Sequence, residues 1–172
     1  MLNVNQTSQA LAIFEQAQRI ICMTHSNPDG DALGSMLGLT HILREKFPLK
    51  QILPLCKDAA PRSFHFLEGA SEIHHSLDLT EGDTVVILDC AVPKQTDLHT
   101  TYPEIFSPEA AKAKGIRTIR IDHHPDGTDF AMLNIVDPQA ASSAEIAVDL
   151  ADSLDFAIPK SATTCILTGI YT

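Results

Sequence analysis

Between residues 7 and 19, Leu11, Phe14 and Ala17 recur at helical spacing with Ala10 and Ile13 alongside, which predicts an amphipathic helix. Ile20, Ile21, Cys22 and Met23 then form an unbroken apolar run, the pattern of a strand buried on both faces of a parallel sheet. A turn-rich loop follows over 24–30. From Asp31 onward Leu33, Met36, Leu37, Thr40 and Leu43 return at helical intervals, predicting a second helix that Pro48 stops. The apolar run 52–55 reads as a strand weakened by Pro54, and 61–79 shows no clear period. Residues 84–88 form the clearest strand, rich in β-branched side chains and closing on Asp89. A helix around 108–114, a strand over 116–121 and helices over 142–154 and 160–171 complete the pattern. Ser142 and Ser143 with Glu145 close behind give the first of these last two helices a capping arrangement. Strands alternating with helices predict an α/β fold with a mainly parallel sheet.

Composition narrows the setting. The chain has 172 residues, 44% hydrophobic and 20% charged, ordinary usage for one globular domain with a sizeable core. No apolar run approaches the ~20 residues of a membrane-spanning helix. The opening MLNVNQTSQALAIFEQAQR lacks the basic start and apolar centre of a secretory signal, so a cytoplasmic protein without membrane partners is expected. Cys22, Cys56, Cys90 and Cys165 stand far apart with no CxxC pair, which fits free thiols in a reducing compartment. With 12 basic and 22 acidic residues the net charge is −10, which argues against duplex DNA as a partner. A short anionic substrate held by metal ions remains compatible, because the ions supply the positive charge.

Three polar loops each follow the carboxyl end of an apolar strand, the edge at which open α/β sheets bind ligands. The first, THSNPDGD, carries His25, Asp29 and Asp31, and Pro28 and Gly30 allow it to fold back toward one point. Carboxylate oxygen and imidazole together suit divalent ions such as Mn²⁺. The competing reading is an Asx-type turn capping the helix at Asp31. Asp89 ends the strand over 84–88, where a carboxylate can bridge two cations or cap neighbouring backbone. Asp122, His123 and His124 form the third loop. Adjacent side chains at a strand end should diverge, so one imidazole can ligate while the other meets an anionic substrate. Asp122 can orient a ring through its second nitrogen. His74 and His75 also pair, without adjacent carboxylates, and read as surface or core residues.

These residues resemble the DHH phosphoesterase family, whose signature is Asp122-His123-His124. THSNPDGDALGS is similar to its first motif, VVILDCA to its second and IDHH to its third, and the 142–145 helix start is similar to the segment that follows. The resemblance implies a three-layer α/β/α domain with two Mn²⁺ ions, for which Mg²⁺ or Co²⁺ are possible substitutes. His25, Asp29 and Asp89 would hold one ion, and Asp31, Asp89 and His123 the other. His124 would contact phosphate with Asp122 in support, and Ser143 would be a further substrate contact. PDGDALGS is most similar to the branch that degrades short oligoribonucleotides and 3′-phosphoadenosine 5′-phosphate (pAp), and a homodimer is a possible assembly of this chain. Family pyrophosphatases usually carry Thr at the position of Gly30. In the family, ILTGIYT is normally followed by an Asp that completes the second metal site, and then by a substrate-binding domain. The expectation is therefore a catalytic domain over 1–172, shortened at its C-terminus. Pyrophosphatase, single-strand exonuclease, a non-catalytic nucleotide-binding module and a mononuclear zinc hydrolase are the competing functions.

Overall fold

The computed structural model describes residues 2–172. Helix α1 (Val4–Gln16) is capped by Asn3, whose side chain accepts from the Asn5 amide at 2.9 Å, so it begins a turn earlier than the apolar spacing marks. The chain then alternates through β1 (Arg19–Met23), α2 (Gly30–Lys46), β2 (Gln51–Leu55), β3 (Asp83–Leu88), α3 (Pro108–Ala113), β4 (Arg117–Asp122), β5 (Leu133–Val136), α4 (Ser143–Ser153) and α5 (Lys160–Tyr171). Single 3₁₀ turns occupy part of the long connections between β2 and β3 and between β3 and α3. All five strands are parallel, in the order β2-β1-β3-β4-β5.

The apolar runs of β1 and β3 are continuous because both of their faces are covered. Ile20, Cys22, Val86 and Leu88 enter one core, and Ile21, Met23, Val85 and Ile87 the other. The first core lies beneath α1, α2, α4 and α5; the second is closed by α3 and by Leu98, Tyr102 and Ile105. The layers are therefore α/β/α, as the family resemblance implies. Pro54 does not prevent β2 from pairing, since that strand lies at the sheet edge and needs no amide on its outer side. Strand β5 goes unpredicted because its four residues, LNIV, are too few for alternation to declare itself.

With this order the chain turns from β1 outward to β2 and then back across to β3, so the topological switch lies between β1 and β3. Their carboxyl ends open a crevice into which the loops after β1, β3 and β4 all project. Helices α2 and α5 close one side of it by unusually close contact. A Cβ at Gly34 would lie 2.5 Å from the Cys165 carbonyl oxygen and 2.6 Å from the Gly169 amide nitrogen, so the two backbones approach only because residue 34 has no side chain. Gly34→Ala is expected to lower the unfolding free energy by about 1–3 kcal/mol through overpacking against backbone that cannot rotate away. Urea denaturation measures this, and an unchanged midpoint would contradict the packing account.

Candidate metal centre

Asp89 sits just past β3 with φ of +52°, in the left-handed region that Asp tolerates better than most residues. Its amide donates to the Ile121 carbonyl at 3.0 Å, tying the end of β3 to the end of β4. The side chain is almost fully buried and its two oxygens face different neighbours. Oδ2 lies 3.5 Å from His25 Nε2, which is in turn 4.0 Å from Asp29 Oδ1. Oδ1 lies 3.7 Å from His123 Nε2 and accepts the Ser143 hydroxyl at 3.2 Å. His123 Nε2 is also 3.7 Å from Asp31 Oδ2.

Three of the donor residues are oriented by hydrogen bonds elsewhere. His25 Nδ1 stands 2.8 Å from the Ser26 carbonyl, so it carries a proton and donates there, which leaves Nε2 for the crevice. Asp29 is both N-cap and site residue, since its Oδ1 accepts the Ala32 amide at 3.0 Å. The capping and metal readings of this loop are therefore compatible. Asp31 is gripped from the far end of the chain: its oxygens accept the Ser143 and Ala144 amides at 2.7 and 2.9 Å, at the amino end of α4.

The third loop departs from expectation in one respect. His123 and His124 do not diverge; their ring centroids are 4.6 Å apart, because the chain leaves β4 after Asp122 and the strand pleat no longer separates them. What separates their roles is the nitrogen each commits. His124 Nδ1 bonds Asp122 Oδ1 at 2.7 Å and also lies 3.7 Å from Asp89 Oδ1, whereas His123 presents Nε2 to Asp31 and Asp89. Ser143 also differs from the expected substrate contact: it is fully buried and its hydroxyl serves Asp89. The helix cap is Ser142, whose side chain accepts the Glu145 amide at 3.1 Å. His74 and His75 stand apart from the cluster, His74 pairing with Leu55 as an isolated bridge and His75 Nδ1 donating to the Cys56 carbonyl at 3.0 Å.

The donors form two sets that share Asp89, one with His25 and Asp29 and the other with His123 and His124, and Asp31 adjoins the second through His123. Ligands about 2.1 Å from one cation stand roughly 3–3.5 Å apart, close to the separations seen here, and the all-nitrogen-and-oxygen set suits a hard or borderline divalent ion. The donors therefore suit divalent cations, which the two sets would hold with Asp89 common to both. Asp29, Asp31, Asp89, His123 and His124 line a cleft of about 230 Å³ together with Ser142, Gly169 and Thr172, and no Lys or Arg lines it among the described residues.

The electrostatics carry the mark of that excess of acid. Burial and the nearby Asp89 charge push Asp31 up to about 6, against the pull of the Ser143 and Ala144 amides. Burial would lower His25, but the Asp89 carboxylate and the Ser26 carbonyl outweigh it and raise the imidazole to about 9. Burial would raise Asp89, yet the facing imidazoles hold it below the usual carboxylate range.

Fold and site together define a doubly wound α/β domain with a His–Asp centre built for divalent cations at its switch point. The chain belongs to the DHH family: the model of the family's N-terminal domain matches residues 19–170. It is 33% identical over 159 residues to the bifunctional oligoribonuclease and PAP phosphatase NrnA of Thermus thermophilus, covering 89% of this chain and 42% of that protein. The NrnA of Mycoplasma pneumoniae is 28% identical over 168 residues, covering 96% of this chain and 49% of that protein. A crystal structure of an exopolyphosphatase-related protein from Bacteroides fragilis superposes with a TM-score of 0.79 at 26% identity, covering 99% of this chain and 50% of that one. The chain spans about half the length of the curated relatives it matches.

The shifted groups predict a pH response of the metal-free protein. His25, raised in the fold, contributes stability that is complete below its ordinary value of 6.5 and is lost as pH rises through about 9. Asp31, also raised, has already lost its contribution above about 6. In chelator, the melting temperature should therefore fall between pH 6.5 and 9; a flat or rising profile would contradict the assigned geometry.

Proposed function

We propose that this domain hydrolyses phosphoester bonds in short oligoribonucleotides, in pAp, or in both, using two divalent cations, Mn²⁺ foremost. The observation that carries the proposal is the division of Asp89's oxygens between two histidine-containing donor sets beside a cleft that no Lys or Arg lines among the described residues. A phosphate entering a cleft lined by three aspartates meets repulsion unless cations accompany it. The names of the relatives, oligoribonuclease and PAP phosphatase, support the same substrate class.

In this reading His25, Asp29 and Asp89 hold one ion, and Asp31, Asp89 and His123 the other. Bound there, the ions would offset charge developing on the phosphate and lower the pKa of an attacking water. The protein's own groups do the rest. The Ser143 hydroxyl and the α4 amides hold Asp89 and Asp31 against movement as charge shifts in the site. His124, pinned through Nδ1 by Asp122, has Nε2 as its remaining nitrogen; in a half-exposed ring lining the cleft, that N–H can donate to a phosphate oxygen or to the departing oxygen.

The test is an assay of the complete protein containing this chain, with added Mn²⁺, against pAp, di- to pentaribonucleotides and pyrophosphate in parallel. Hydrolysis of pAp or short RNA should exceed that of pyrophosphate, and Asp89→Ala should reduce it by about 1,000-fold or more, since several kcal/mol of transition-state stabilisation depend on the bridge. Near-normal turnover in Asp89→Ala, or hydrolysis of pyrophosphate alone, would reject the proposal.

A further inference from the structure

Arg120 lies in the interior of β4 between Ile119 and Ile121, with only 1% of its surface exposed. Burying a guanidinium is costly unless its donors are satisfied, and apolar residues of similar volume usually serve packing as well or better. Here the donors are met by three separate segments. Nε donates to the Cys90 carbonyl at 2.9 Å, Nη1 to the Thr128 carbonyl at 3.2 Å, and Nη2 to Asp122 Oδ2. The guanidinium also lies 5.4 Å from the centre of the Phe130 ring.

Two of those acceptors belong to the metal centre's framework. Cys90 directly follows Asp89. Asp122 uses its other oxygen to accept His124 Nδ1 at 2.7 Å and the His123 amide at 2.9 Å. One buried cation thus joins the loop after β3 to the loop after β4. Gly127 leaves room for it: a Cβ there would collide with Arg120 Nη2 and come within 3.0 Å of the Ala91 carbonyl oxygen. The Thr128 amide, donating to that same Ala91 carbonyl at 3.0 Å, closes the loop over the guanidinium.

We infer that Arg120 is a positioning residue of the active site: its three-way guanidinium bridge fixes the Asp122 carboxylate, and through it the His124 ring, at a set distance from the loop that carries Asp89. The inference rests on the phosphoesterase reading for its meaning but is tested without metal or substrate, so the two fail separately.

In the unmutated metal-free chain, nitrogen-15 NMR should show slowly exchanging protons on Arg120 Nε and His124 Nδ1. Arg120→Lys keeps the charge but cannot span three acceptors. In the folded variant, judged by circular dichroism and cooperative unfolding, His124 Nδ1 proton exchange should accelerate by at least about tenfold, the worth of one lost hydrogen bond. Gly127→Ala, which displaces the guanidinium without removing it, should do the same, whereas Asp152→Asn on the exposed side of α4 should not. An unchanged His124 Nδ1 signal in either folded variant would overturn the inference. Should neither variant fold, rapid exchange of Arg120 Nε in the parent chain would overturn it and slow exchange would support it.

Discussion

One carboxylate placed between two imidazoles sets the terms for everything around it. Asp89 leaves β3 in a left-handed conformation, nearly buried, with an oxygen toward His25 and another toward His123. Such a group is tolerable only where positive charge or hydrogen-bond donors answer it from both sides. The Ser143 hydroxyl answers part of that demand and the imidazoles another part. The adjoining Asp31 is left with a raised pKa and Asp29 stands at the rim, so the cluster as a whole is richer in negative charge than its protein partners can balance. Under the proposed function, divalent cations would complete it.

The rest of the domain holds that charge excess in place. The sheet order puts β1 and β3 side by side, so the loops that carry His25 and Asp89 start from adjacent strand ends. Helix α2 begins at the same point, and the bare backbone at Gly34 lets α5 come close enough to wall the cleft with Gly169 and Thr172. Helix α4 turns its amino end on Asp31 across 112 residues of sequence separation. Behind the site Arg120 and Asp122 form a buried pair, and the other oxygen of Asp122 meets His124 Nδ1. Stability and site geometry therefore depend on the same few contacts.

Much of this was legible in the sequence because the chemistry is local. Each polar loop follows an apolar run, so His25, Asp29, Asp31, Asp89, Asp122, His123 and His124 could be placed at one sheet edge before any coordinates. What could not be read depends on partners distant in sequence. Nothing near Ser143 indicates that its hydroxyl reaches Asp89, and nothing near Asp31 that α4 caps it. Arg120 did leave a signal, a charge between Ile119 and Ile121 in a predicted strand, but its acceptors on Cys90 and Thr128 are visible only in three dimensions. Strand β5 was too short to show a period, and the near-contact of the two histidine rings follows from where β4 stops rather than from residue identity.

The most direct test of the shared carboxylate is electron paramagnetic resonance of the protein titrated with Mn²⁺. Two ions bridged by Asp89 should give an exchange-coupled spectrum as the second equivalent binds, and Asp89→Asn should abolish the coupling. A titration that yields only the uncoupled hyperfine pattern of isolated Mn²⁺, in the unmutated protein, would contradict the bridged pair on which this account of the site is built.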